Sequence, residues 1–157
     1  MGPIVVMENE YVTVWYHPDS KVVHHRLTKN PDSAMFRAML SRGAECLEEH
    51  HATKWLSDDT NLIVVRDHDS EWGETVWGPR VLRAGFKWWA IVAPASAIGQ
   101  LTLGRIGTHY RAVGVTVSMF TNVDAGLEWL ASVGPVDAVE LRCPRQRLSL
   151  SVDRRSD

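Results

Sequence analysis

Lys54-Trp55-Leu56-Ser57-Asp58-Asp59 is a short apolar run that ends abruptly in a hydroxyl and two carboxylates. Buried strands of α/β domains end in this manner at the rim where ligands bind, beyond the strand's carboxyl end. The pattern on either side is what such a strand needs. Upstream, Ile4-Val5-Val6-Met7 and Tyr11 to Tyr16 read as strand material, broken by Glu8-Asn9-Glu10. His17-Pro18-Asp19-Ser20 is a turn, and Lys21 to Leu27 returns as the second arm of a hairpin. Asn30 suits a helix N-cap, Pro31 the first helical position and Asp32 the first turn. Met35, Phe36, Met39, Leu40, Cys46 and Leu47 then share one helical face, with Glu45, Glu48 and Glu49 toward solvent.

Downstream, Leu62-Ile63-Val64-Val65 reads as an extended segment leading into a polar loop. Ser70 is placed to cap a helix from Glu71 with Trp72 and Val76 inward, which Pro79 stops or restarts and Gly85 ends. Phe86 to Ala93 is almost wholly apolar, as a strand covered on both faces should be. Ser96 caps the next helix, with Ile98, Leu101, Ile106, Tyr110 and Val113 predicted inward and Gly114 as its stop. Val115 to Phe120 alternates like a half-buried strand, and Asn122 and Asp124 open a last helix closed by Gly134-Pro135. The order predicts an α/β domain over 1–134: a mixed sheet, mainly parallel, with an N-terminal antiparallel hairpin and helices mainly on one face. Residues 135–157 are read as a mobile, arginine-containing tail (Arg142, Arg145, Arg147, Arg154, Arg155), with an add-on strand at Val139–Leu141 as the alternative.

A chain of 157 residues suffices for one domain with a real core. The formal net charge of -2 gives no electrostatic case for nucleic acid or an acidic membrane surface. No apolar run approaches the roughly 20 residues that span a bilayer. The first residues lack a charged n-region and an apolar h-region, so export is not expected. Cys46 and Cys143 form no CxxC pair, which favours a reduced, cytoplasmic setting.

With this order established, Lys54-Trp55-Leu56-Ser57-Asp58, Trp72, Trp77-Gly78-Pro79-Arg80 and Ala84-Gly85-Phe86-Lys87 carry a resemblance. It continues through Trp89-Ala90-Ile91-Val92 and ends in Phe120-Thr121-Asn122-Val123-Asp124-Ala125-Gly126-Leu127-Glu128-Trp129-Leu130. The chain resembles the SpoIIAA-like domain proteins of bacteria, of the STAS type, over most of Tyr11 to Val133. None of the shared motifs is catalytic. The resemblance implies a small sheet with helices mainly on one side, used as a regulatory, ligand-holding or dimerising module. The wider group includes switches phosphorylated on a serine at a strand-to-helix junction. Ser57 is the corresponding candidate, but it stands in Ser57-Asp58-Asp59 with no following glycine. A phosphate of charge roughly -2 beside two carboxylates would be repelled there.

Other chemistries are weighed on their residues. Asp58, Asp59, Asp67 and Asp69 resemble a hard-cation rim but lack EF-hand spacing, and turn-capping explains them as well. Cys46, His50 and His51 would need His24, His25 or His109 to complete a zinc site, and solvated helix-end histidines are simpler. A Ser/His/Asp hydrolase on Ser57 lacks the Gly-x-Ser-x-Gly elbow. The favoured site is a pocket formed by Trp72 and Trp77 near Asp58 and Arg80, with apolar walls and few polar groups. Trp88 or Trp89, on a sheet face left bare by helices, would make a homodimer contact. The expectation is a cytoplasmic, non-enzymatic binding or regulatory module that self-associates, without metal or cofactor. A carrier of a lipid or other hydrophobic ligand and a hydrolase at the Ser57-Asp58 rim are the alternatives.

Overall fold

The computed structural model describes residues 2–134. The tail, with Cys143, the arginines and the add-on strand, lies outside the described residues. Six strands form one sheet in sequence order: β1 (Ile4–Glu8), β2 (Val12–His17), β3 (Val22–Leu27), β4 (Lys54–Asp58), β5 (Trp88–Val92) and β6 (Thr116–Phe120). β1, β2 and β3 pair antiparallel, and β3 to β6 run parallel. The mixed sheet with an antiparallel N-terminal part is therefore present as the alternation predicted.

Helices α1 (Ser33–His50), α4 (Ala97–Ala112) and an arm of α2 (Asp67–Trp72), a π-helical turn (Gly73–Trp77) and α3 (Gly78–Ala84) connect the parallel strands. Because each crossover steps in the same direction, right-handedness puts all three on one face. There they bury Val14, Val23, Trp55, Trp89, Ile91 and Val117 in the larger core. The last helix, α5 (Val123–Ser132), leads to no further strand of the described sheet, so no crossover rule governs it. It lies on the opposite face, where Leu130 packs with Leu56, Ala90 and Val92. Trp88 packs against that second core and Trp89 sits in the first, so the bare patch expected at these residues is covered.

Two glycines permit close approach rather than unusual backbone angles. A Cβ on Gly43 of α1 would collide with the Trp55 indole. One on Gly126 of α5 would come within 2.7 Å of Leu56 Cδ1. Trp55 and Leu56, consecutive on β4, thus each meet a helix, one on each face.

Several local expectations change. Asp32, not Asn30, caps α1 by accepting from Met35 N at 2.8 Å. Asn30 instead accepts from Ile63 N at 3.0 Å and Val64 N at 3.3 Å, which pins the Leu62–Val65 segment outside the sheet. The helical arm starts at Asp67, ahead of Ser70, and runs through Pro79 because proline sits in the first turn of α3, where its missing N–H costs little. Val76 is exposed on that arm. Ser96 does cap α4, accepting from Gly99 N, and Asn122 caps α5, accepting from Ala125 N. On α4 the inward stripe is Gly99, Thr102, Leu103, Gly107 and Tyr110, while Ile98, Leu101 and Val113 are exposed. Small residues there let the helix lie close to the chain beneath it: a Cβ on Gly99 would come within 2.9 Å of Leu62 O. No helix among the described residues is long and apolar enough to cross a membrane.

Candidate functional site

Alternation along β4 sends Trp55 and Ser57 toward the helix-covered face and Leu56 and Asp58 toward α5. Asp59, the next residue of the same parity, continues the first group past the strand end. In the parallel register His25 of β3 lies beside Ser57. Trp55 Nε1–H donates to His25 Nδ1 at 3.0 Å, and His25 Nε2 lies 2.9 Å from Asp59 Oδ1. An indole N–H only donates, so His25 Nδ1 must offer its lone pair and the ring proton resides on Nε2, directed at Asp59. His25 is thereby held neutral in one tautomer, with both nitrogens engaged. All three groups are buried.

A cavity of about 70 Å³ opens beside this relay. Its walls include the rings of Trp55, Trp77, Phe86, Trp89 and Tyr110. These rings meet edge to face, with Trp55 and Trp77 centroids 5.3 Å apart and Trp89 and Tyr110 5.6 Å apart. Their polar atoms turn away from the space between them. Trp77 Nε1 donates to Leu40 O at 2.7 Å, Trp89 Nε1 to Ser57 Oγ at 2.8 Å and the Tyr110 hydroxyl to Gly73 O at 3.0 Å. Burial pushes the Tyr110 phenol well above its usual range, with the Glu74 carboxylate adding to the effect, so the hydroxyl stays a donor. At roughly 30 Å³ of liquid volume per water, the cavity takes a head group of a few heavy atoms.

The carboxylate of Asp69, also among the lining residues and buried, joins α1 to the helical arm. Ser33 Oγ donates to Asp69 Oδ2 at 2.7 Å and Arg37 Nε to Oδ1 at 3.0 Å. Burial alone would raise the Asp69 carboxyl, but these two bonds and the neighbouring His68 and Arg37 charges outweigh it and hold it below the usual range. His68 Nε2 lies 3.0 Å from Ser33 Oγ but 3.7 Å from Asp69. The serine therefore gives its proton to the acid rather than to the histidine, and the trio is a clasp, not a nucleophile relay.

The four residues expected to form the pocket do not converge. Trp77 lines the cavity. Asp58 lies on the α5 face and closes a local turn, accepting from Thr60 Oγ1 at 2.6 Å. Trp72 lies outside the cavity lining, with the Arg37 guanidinium 5.2 Å from its ring centre. Arg80 pairs with Glu48, Nη2 to Oε1 at 2.6 Å, where α3 crosses α1. Ser57 is 1% exposed and accepts from Trp89, so a phosphate donor or a substrate carbonyl cannot reach it without the core opening. The zinc candidates are likewise dispersed: Cys46 is fully buried, with burial raising its thiol to about 11, and His50 stacks on Tyr16 at 3.9 Å. No group of three or more potential metal ligands occurs among the described residues.

Sequence inspection singled out Asp59 as an acid at the rim and His25 as a stray histidine, but did not join them. The signal was present in the alternation Trp55, Ser57, Asp59, which places a donor, a hydroxyl and a carboxylate on one face of β4. Comparison with known proteins finds no family model, no curated protein and no solved structure that matches this chain.

Proposed function

We propose that the chain is a non-enzymatic binding module of SpoIIAA-like type that admits a small ligand to the aromatic cavity. The observation that carries this reading is the cavity itself: ring-lined walls with one buried polar end, the His25–Asp59 pair. That combination of apolar enclosure and a few placed polar groups is the usual make-up of a small-molecule site. The bonding of His25 favours binding over turnover, since neither ring nitrogen is available to move a proton to a ligand. A ligand entering among three cavity-lining indoles should quench tryptophan fluorescence. The test is titration with a panel of small aromatic and branched aliphatic compounds, in the full chain and in Trp77→Ala. The expected result is saturable quenching lost in the variant. No quenching by any member would end the reading.

Self-association, in a cytoplasmic setting, belongs to the same proposal but moves to another surface. β1 is an edge strand whose Ile4 and Val5 are 46% and 51% exposed, the kind of edge that pairs with a second chain. Sedimentation at tens of micromolar should show a mass above the monomer, and Val5→Lys should restore the monomer. A clean monomer of the unaltered protein would remove this part.

A further inference from the structure

The balance of donors and acceptors around the cavity narrows what it can hold. Every indole N–H on the wall is already spent inside the protein: Trp55 on His25, Trp77 on Leu40 O and Trp89 on Ser57. The Tyr110 hydroxyl proton goes to Gly73 O and the His25 Nε2 proton to Asp59. Ser70 contributes a hydroxyl, which accepts as readily as it donates. No lysine or arginine side chain lines the space. What faces inward is almost wholly apolar, mostly aromatic ring, and the acids among the lining residues are Asp59 at the buried end, Asp69 and Glu74.

The charge of Asp59 is uncompensated within the described residues. Its ion-pair partner there is His25, and the Trp55 N–H on Nδ1 keeps that ring neutral. The nearby Arg37 is committed to Asp69. A carboxylate 4% exposed, hydrogen-bonded but not charge-paired, is costly to keep in a low-dielectric setting unless a cation arrives. Ring faces add attraction for that charge through their quadrupoles, and more so once water is excluded.

We infer that the ligand is an organic cation, an alkylammonium group whose N–H donors meet Asp59 while its carbon atoms contact the faces of Trp55, Trp77 and Trp89. This rests on the proposed binding role of the cavity and specifies the ligand class. The cavity volume suits a head group of a few heavy atoms, so a primary amine on a short branched chain is the matching shape. Carboxylates and phosphates are rejected, because no lysine or arginine side chain lines the walls while three acids, Asp59, Asp69 and Glu74, do.

The experiment compares three molecules of one skeleton: isobutylammonium chloride, isobutanol and sodium isobutyrate. Binding is read from the indole N–H resonances of Trp55, Trp77 and Trp89 in the full chain, assigned by single Trp→Phe variants, and in high salt to screen the general negative charge. Isobutylammonium should bind about tenfold or more tightly than isobutanol, and isobutyrate should leave the three resonances in place. Asp59→Asn keeps an acceptor for His25 and should bring the ammonium affinity down to that of the alcohol. Equal affinity for alcohol and ammonium in the unaltered protein would overturn the cation inference while leaving a ligand cavity. Shifts from none of the three would overturn the cavity reading and this inference with it. The comparison in the unaltered protein decides the matter even if Asp59→Asn does not fold.

Discussion

His24 and His25 are neighbours in the chain and opposites in their surroundings. His25 faces the helix-covered side, where Trp55 and Asp59 satisfy both ring nitrogens. His24 faces the other side, packed against Trp15 with ring centres 4.6 Å apart and stacked on His17. Its Nδ1 lies 3.1 Å from His17 Nε2, but its buried Nε2 has no partner among the described residues. One face of the sheet thus specifies its polar groups one by one, and the other tolerates a polar atom it does not use. A pleated strand permits this because successive side chains share nothing but backbone. The lesson is that the two faces can differ in how strictly they constrain composition, even at adjacent positions.

The largest expected effect comes from breaking the specified side. His25→Leu keeps apolar volume but strands the Trp55 N–H and the Asp59 carboxylate in the interior. At about 1–3 kcal/mol for each unsatisfied group, and more for a charged one, the loss should reach roughly 3 kcal/mol or more, read from urea unfolding midpoints. A loss below about 1 kcal/mol would show that the His25 network adds little to stability.

The next effect is a pH dependence of stability that belongs to His24. Burial, the largest cause, lowers its pKa from 6.5 to about 3, and the Arg26 charge acts in the same direction. The folded ring stays neutral where the unfolded ring takes up a proton, so the folded state gains nothing from acid. Stability from this group is complete above 6.5 and is lost as pH falls toward 3, at up to about 1.4 kcal/mol per pH unit. The lowered pKa of His17, caused by burial, acts in the same direction. Unfolding measured from pH 7 to pH 4 should slope downward, and His24→Leu should flatten much of that slope. An unchanged slope in the variant would assign the dependence elsewhere.

At neutral pH the same His24→Leu change should cost less than about 1 kcal/mol, since removing a polar group that lacks a partner on one side forfeits a single hydrogen bond to His17. The contrast with His25→Leu is the direct test of the difference between faces. Smallest of all, Arg80→Ala should shift stability by no more than about 1 kcal/mol despite its short, forked pair with Glu48. Both side chains are substantially exposed, 36% and 43%, and water screens them. It should leave ligand-induced quenching unchanged.

These contrasts also show what the chain disclosed before its structure. The sequence order of strands and helices was legible because strand and helix periods differ and because Ser96, Asn122 and Gly114 mark helix ends. The side taken by α5 was not, because the handedness of a crossover says nothing about a helix that leads to no further strand. The cavity was half legible. Trp77 announced itself, but Arg80 and Trp72 were drawn to it only by nearness in sequence, and each has a partner elsewhere. His25 reaches Asp59 through the β3–β4 register, which depends on pairing across 34 positions rather than on any local pattern.

The π-helical turn at Gly73–Trp77 has a consequence for how this domain can change over generations. Such a turn amounts to one surplus residue in an otherwise α-helical arm. Here it supplies the carbonyl that receives Tyr110 and turns Trp77 toward the cavity. Deleting one residue would restore α geometry there and remove the widened turn that offers Gly73 O to Tyr110 and presents Trp77 to the cavity. The gain or loss of a single codon in this arm is thus a route between a domain with a binding cavity and one without.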